Sequence, residues 1–179
     1  MNPSSAQPTP IAKTSWVTQT ALFLALAVIL PVGFHVFGIA GRIFLPMHFA
    51  PLLAGFLVGP YSGLAVGLMS PVIAHLTTGM PPAYAVPLMS LELPLYGLVA
   101  GLAYRRLRLN IYIALIAAMI VGRIMFGLGV FVLGMFVKLP YDAAAVFSLA
   151  GPLLVGLPGI GAQLLVIPII VAAVRRVRS

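Results

Sequence analysis

Of the two carboxylates in this 179-residue chain, one, Glu92, falls inside an apolar stretch, where an isolated charge is costly to bury. Arg123 falls inside the next apolar stretch, and the basic turn Arg105-Arg106-Leu107-Arg108 separates the two. In an antiparallel helical hairpin closed by that turn, each residue rises about 22–24 Å from it, so the two charges share a depth. Two roles are open to them. They neutralise one another as a packing pair, or they line a cavity and contact a ligand, and the two roles are compatible.

The histidines extend the pattern. His35 lies near the far end of the first apolar segment, His48 opens the second and His75 comes late in the third, which predicts that all three share the half of the protein that holds Glu92 and Arg123. No two of them have the i, i+3 or i, i+4 spacing that sets two ligands on one helical face, so no metal site is expected. Gln163 and Ser90 are further polar residues inside apolar segments. Tyr84 and Met80 belong to a loop placed to cover such a site, and Arg42 reads as an interfacial anchor.

Other chemistries are thinly represented. No Walker motif is present, and no nucleophile and base set resembles a hydrolase. The absence of cysteine removes disulfides and thiolate chemistry. No cofactor is expected. The formal charge of +8 sits in short clusters between apolar segments, which marks topology and not nucleic-acid binding.

The elements that position these residues follow from composition. With 62% hydrophobic and 7% charged residues and a mean hydropathy of +1.17, the chain has too little polar surface for a soluble globule of its size. We expect an all-α integral membrane protein, a bundle of six transmembrane helices over about 15–37, 47–58, 64–78, 86–107, 111–133 and 151–174. Residues 1–14 are expected to be a disordered cytoplasmic tail, 15–174 the membrane domain and 175–179 a basic tail. Pro31 and Pro71 are expected to kink or interrupt their helices. An N-terminus in the cytoplasm puts Lys13 and the two arginine clusters inside and leaves Arg42 and Lys138 outside, as the positive-inside rule requires of a multi-pass cell-membrane protein. The ionisable site residues then lie in the outer half. Small residues recur at four-residue spacing, as Ala21 and Ala25, Gly55 and Gly59, Gly63 and Gly67, and Gly97 and Gly101, a pattern that lets helices approach closely.

The stretch from Phe44 to Pro60, with Pro46-Met47-His48 near its start and Gly59-Pro60 at its end, is continued by Tyr61 to Gly67 and by Glu92-Leu93-Pro94-Leu95-Tyr96-Gly97. It resembles the substrate-binding subunit, or S-component, of an energy-coupling factor (ECF) transporter for a vitamin-like micronutrient. The resemblance implies capture of a small ligand on the outer face, followed by toppling of the subunit against a transmembrane coupling subunit driven by two ATPase subunits. It also implies that Ala21-Leu22-Phe23-Leu24-Ala25 packs against the coupling subunit. The family's nickel and cobalt members carry an N-terminal Met-His segment, whereas this chain begins Met1-Asn2-Pro3-Ser4.

The leading expectation is therefore a transport subunit, not an enzyme. It uses Glu92, Arg123 and His48 as polar anchors for a small organic nutrient, with His35, His75, Tyr84 and Gln163 as further candidates. A self-contained ion-coupled carrier or channel is the alternative. An intramembrane enzyme acting on lipid, with Glu92 and the histidines as its acid/base groups, is a third.

Overall fold

The computed structural model describes the backbone of residues 10–35, 45–140 and 152–178, with side chains for 14–34, 45–140 and 156–177. Six helices occupy these residues: α1 Pro10–His35, α2 Pro46–Leu57, α3 Pro60–Thr78, α4 Ala85–Gly101, α5 Ile111–Gly134 and α6 Pro152–Arg178. A π-helical turn, Leu102–Arg106, continues α4. Within the described residues, four helical segments are long and apolar enough to cross a membrane: Thr14–Phe34, Ala85–Arg106, Ile111–Gly134 and Gly156–Val177. The expected count of six therefore rests on two further helices, α2 with 12 residues and α3 with 19.

The boundaries have local causes. Gly59 takes φ 151°, a conformation that side-chain-bearing residues rarely adopt, and this lets α2 turn directly into α3. Pro60 then begins α3 at the position where a missing N–H costs nothing, so this helix starts earlier than expected. Gly79, at φ 73°, ends it with its N–H on the His75 carbonyl. The Asn110 side chain caps α5 by accepting from the Tyr112 N–H at 2.9 Å. The helix α1 begins at Pro10 and runs through Pro31, α3 runs through Pro71, and α6 carries the final arginines as far as Arg178. The expected interruptions are thus prolines inside continuous helices, and part of each expected tail is helical.

The short helix α2 is the centre of the bundle, with ten of its residues buried and α1, α3, α4 and α6 packed around it. Twelve residues span only about 18 Å, less than a bilayer core, and such a helix is tolerated where protein covers it on all sides. The helix α4 packs against α2, α3 and α5, while α1 lies outside on α2 and α3.

Three of the four small-residue pairs contribute directly to this packing. A methyl group on Gly63 would lie 2.6 Å from the Cα of Gly97, and one on Gly101 would lie 2.6 Å from the Cα of Pro60. Gly67 lies equally close to the Leu93–Pro94 backbone, and Gly55 to the backbone of Gly97. Three helices, α2, α3 and α4, meet backbone to backbone along this seam. Because the neighbouring atoms are main chain, they cannot rotate away. Gly63→Ala is expected to destabilise the protein by about 1–3 kcal/mol, the usual effect of overpacking, when melting is followed in detergent. Gly161→Ala, which meets no atom within 4 Å, serves as the neutral control.

Candidate functional site

The glycine seam sets the level of Glu92 on α4. Its side chain is 4% exposed, and a guanidinium and an imidazole converge on its two oxygens. Arg123 of α5 places a guanidinium nitrogen 3.9 Å from Oε1, and His48 of α2 places Nε2 3.7 Å from Oε2. The sequence prediction that Glu92 and Arg123 share a depth therefore corresponds to a direct ion pair. His48 joins them because α2 starts at Pro46, which brings its first turn alongside the middle of α4.

Tyr96, one turn beyond Glu92, is buried and interacts electrostatically with both Glu92 and Arg123. Its ring meets that of His48 edge to face, with centroids 5.1 Å apart. Gly122 makes the space for it, since a side chain there would collide with the Tyr96 ring. The Arg123 guanidinium also lies 5.6 Å from the centroid of the Phe126 ring, one turn along α5. Sequence reasoning placed Tyr96 inside a span but did not assign it to the site. Its i, i+4 relation to Glu92 was the signal that could have found it.

Gln163 on α6 is fully buried. Arg175 of α6 stacks on Tyr104 of the turn after α4, and Gln163 precedes Arg175 by as many residues as Glu92 precedes Tyr104. Both therefore lie about 18 Å from that contact along their helix axes, which puts Gln163 at the depth of Glu92. At this depth Glu92 Oε1, His48 Nδ1 and Gln163 Nε2 are buried without a hydrogen-bond partner among the described residues; Ser70 Oγ on α3 and Ser90 Oγ on α4 are buried and unpaired as well. Buried polar atoms left unpaired are each unfavourable by about 1–3 kcal/mol, so the three at the depth of Glu92 suit the binding of a polar molecule.

The remaining candidates lie elsewhere. His75 donates from Nδ1 to the Pro81 carbonyl at 2.8 Å and ties the end of α3 to the loop before α4. Tyr84 is half-exposed at the start of α4, beside that loop. The side chain of His35, together with Arg42 and Asp142, lies outside the described residues. No group of three His, Cys, Asp or Glu side chains that could hold a metal ion is found among the described residues. Ala21 and Ala25 are exposed on α1, where with Val17, Leu22 and Ile29 they form part of an apolar surface turned away from the bundle.

The ion pair has a measurable consequence. Glu92→Gln keeps the shape of the side chain and leaves Arg123 without its counter-charge, so its melting temperature should fall clearly. Combining it with Arg123→Met should recover part of the loss, with a coupling of about 1–3 kcal/mol in a double-mutant cycle. Strict additivity would mean that the two charges do not sense one another.

No curated protein and no solved structure matches the chain. The family described as the substrate-specific component of ECF transporters does, over residues 16–171, a region that takes in all of α2 to α5, most of α1 and α6, and Glu92, Arg123, His48, Tyr96 and Gln163. Being a multi-helix chain that matches along most of its length, this protein belongs to the ECF transporter substrate-specific component family.

Proposed function

We propose that this protein captures a small, vitamin-like nutrient at the layer formed by Glu92, Arg123, His48, Tyr96 and Gln163, as the substrate-binding subunit of an ATP-driven uptake system. The observation that carries this reading is the set of unpaired buried atoms in that layer, within a chain of this family. Arg123 alone would favour an anionic ligand, but Glu92 already offsets its charge. The layer instead suits a ligand with no net charge that carries both donors and acceptors: Glu92 Oε1 accepts, Gln163 Nε2 donates, and His48 Nδ1 can do either.

The same reading assigns the exposed alanines. Ala21 and Ala25 present a surface with little side-chain bulk on α1, the outermost helix of the α1 to α4 group, where a transmembrane coupling subunit carrying two ATPase subunits can approach closely. The helices α1 to α6 then cross the cell membrane six times with both termini in the cytoplasm and the polar layer in the outer half. Three contacts support a common basic end: Arg175 lies over Tyr104, Arg106 over Tyr61, and Arg105 binds the last carbonyl of α2. His35, His75 and Tyr84 are assigned to the outer side of the site, with His75 acting through the loop it holds.

Ligand binding is tested by thermal shift of the purified protein against neutral, zwitterionic and carboxylate vitamins and divalent metals. A neutral or zwitterionic vitamin at 100 times its Kd should stabilise the native state by about 2.7 kcal/mol, and Gln163→Leu should weaken its binding at least ten-fold. Stabilisation by a metal alone would overturn the organic-ligand assignment. Uptake into vesicles should require the coupling module and fall when Ala21 and Ala25 are both replaced by Leu. Uptake that persists without the module would identify a self-contained carrier.

The orientation is tested by single cysteines, because the chain has none of its own. A membrane-impermeant maleimide applied to intact cells should label Met80→Cys, and should reach Asn2→Cys and Ser179→Cys only after lysis. Labelling of either terminus in intact cells would contradict the proposed topology.

A further inference from the structure

The basic end of the bundle contains a second feature, which substrate capture does not use. A cavity of about 450 Å³ opens there, lined by Tyr104, Arg105, Arg108, Leu109 and Arg175. Three guanidinium groups thus reach one concavity from two parts of the chain far apart in sequence. Their placement depends on irregular backbone. The π-helical turn Leu102–Arg106 widens the end of α4, and Arg108 takes a left-handed φ of 55°, a conformation that side-chain-bearing residues seldom hold. The N–H of Leu109 closes this turn by donating to the Ala103 carbonyl at 3.0 Å.

Two of the three arginines are held by contacts within the protein. The Arg175 guanidinium carbon lies over the Tyr104 ring, 4.5 Å from its centroid. Arg105 donates one N–H to the Leu57 carbonyl at 2.9 Å and keeps its other donors, while Arg108 forms the rim. Glu92 is the only carboxylate side chain among the described residues, and it is engaged about 18 Å away with Arg123 and His48. The charge in the cavity is therefore matched by no acidic side chain among the described residues. Tyr104 and Leu109 complete the lining at the end of a membrane-length helix, the depth at which phospholipid headgroups lie. A planar guanidinium cluster with these neighbours matches a phosphate diester presented from a bilayer.

We propose that this cavity is a phosphate site that holds the headgroup of an anionic phospholipid and so ties the α4–α5 turn to the end of α6. The proposal is independent of the nutrient and of which leaflet faces the basic end. The test is a titration of the detergent-purified protein with phosphatidylglycerol, phosphatidylcholine and inorganic phosphate, read by native mass spectrometry and by melting temperature.

Phosphatidylglycerol should bind with a stoichiometry near one and raise the melting temperature, and phosphatidylcholine should do neither at the same mole fraction. Arg108→Gln combined with Arg175→Gln should weaken phosphatidylglycerol binding about 25-fold, at roughly five-fold per arginine. Arg106→Gln, outside this cavity, should leave it unchanged. Arg108→Gly separates binding from folding: it relieves the left-handed residue, so the lipid-free protein should be at least as stable, yet the lipid should bind about five-fold more weakly. Equal binding of phosphatidylcholine, or unchanged phosphatidylglycerol affinity in the double variant, would overturn the proposal. Saturation by millimolar inorganic phosphate to the same effect would reassign the site to a soluble anion.

Discussion

Backbone contact between α3 and α4 is the constraint from which the rest of the arrangement follows. Gly63 and Gly97 leave no room for a Cβ on either side, and Gly67 lies equally close to the Leu93–Pro94 peptide. Helices that touch at main-chain distance cannot slide without collision, so their relative register is fixed to within a residue. Glu92 immediately precedes Leu93, and that register therefore sets its depth. Gly55 brings α2 into the same seam, and His48, two turns earlier on α2, reaches Glu92 as a result.

The buried charge makes the second demand. A carboxylate inside an apolar bundle needs compensating polar groups nearby, and Glu92 draws the Arg123 guanidinium from α5 and the His48 imidazole from α2. Neither partner approaches within hydrogen-bond distance, so the cluster is neutralised but not saturated. Oε1 of Glu92, Nδ1 of His48 and Nε2 of Gln163 retain unused capacity. A site of this kind combines rigid positioning by backbone packing with polar atoms still available to a guest. The short α2 fits this role: its burial on all sides lets a helix shorter than a bilayer core sit inside the bundle, with its first turn carrying a site residue.

The basic end follows a different logic. Its arginines sit at helix ends beside Tyr61 and Tyr104, where cation–aromatic contact and helix capping hold them in place without carboxylates. Positive charge without acidic partners lies at one end and a compensated polar layer in the interior, with apolar packing between them through Leu52, Leu53, Phe56, Leu115 and Ile167. The two regions are separated by about three helical turns along α4. Their chemistry can therefore be altered independently.

Much of this was legible in the residues themselves. Hydropathy marked the helices, and the distances of Glu92 and Arg123 from the arginine turn were enough to predict a shared depth, because a helical hairpin converts sequence separation into depth. The spacing of the glycines announced close packing without naming partners: Gly63 meets Gly97 on another helix, a choice made by the crossing of α3 and α4. The histidines show the limit most clearly. Depth grouped His35, His48 and His75, but depth says nothing about azimuth, and only packing turned His48 towards Glu92 and gave His75 to the Pro81 carbonyl. Tyr96 became part of the site because Gly122, on a different helix, left space for its ring. The sequence by itself determined which segments are helical and how far along each axis a residue lies, since both depend on local backbone geometry and the polarity of neighbouring residues. Which faces of those helices meet was decided only by the tertiary structure, because rotation about a helix axis is set by side-chain volumes and backbone approach between segments that are distant in the chain.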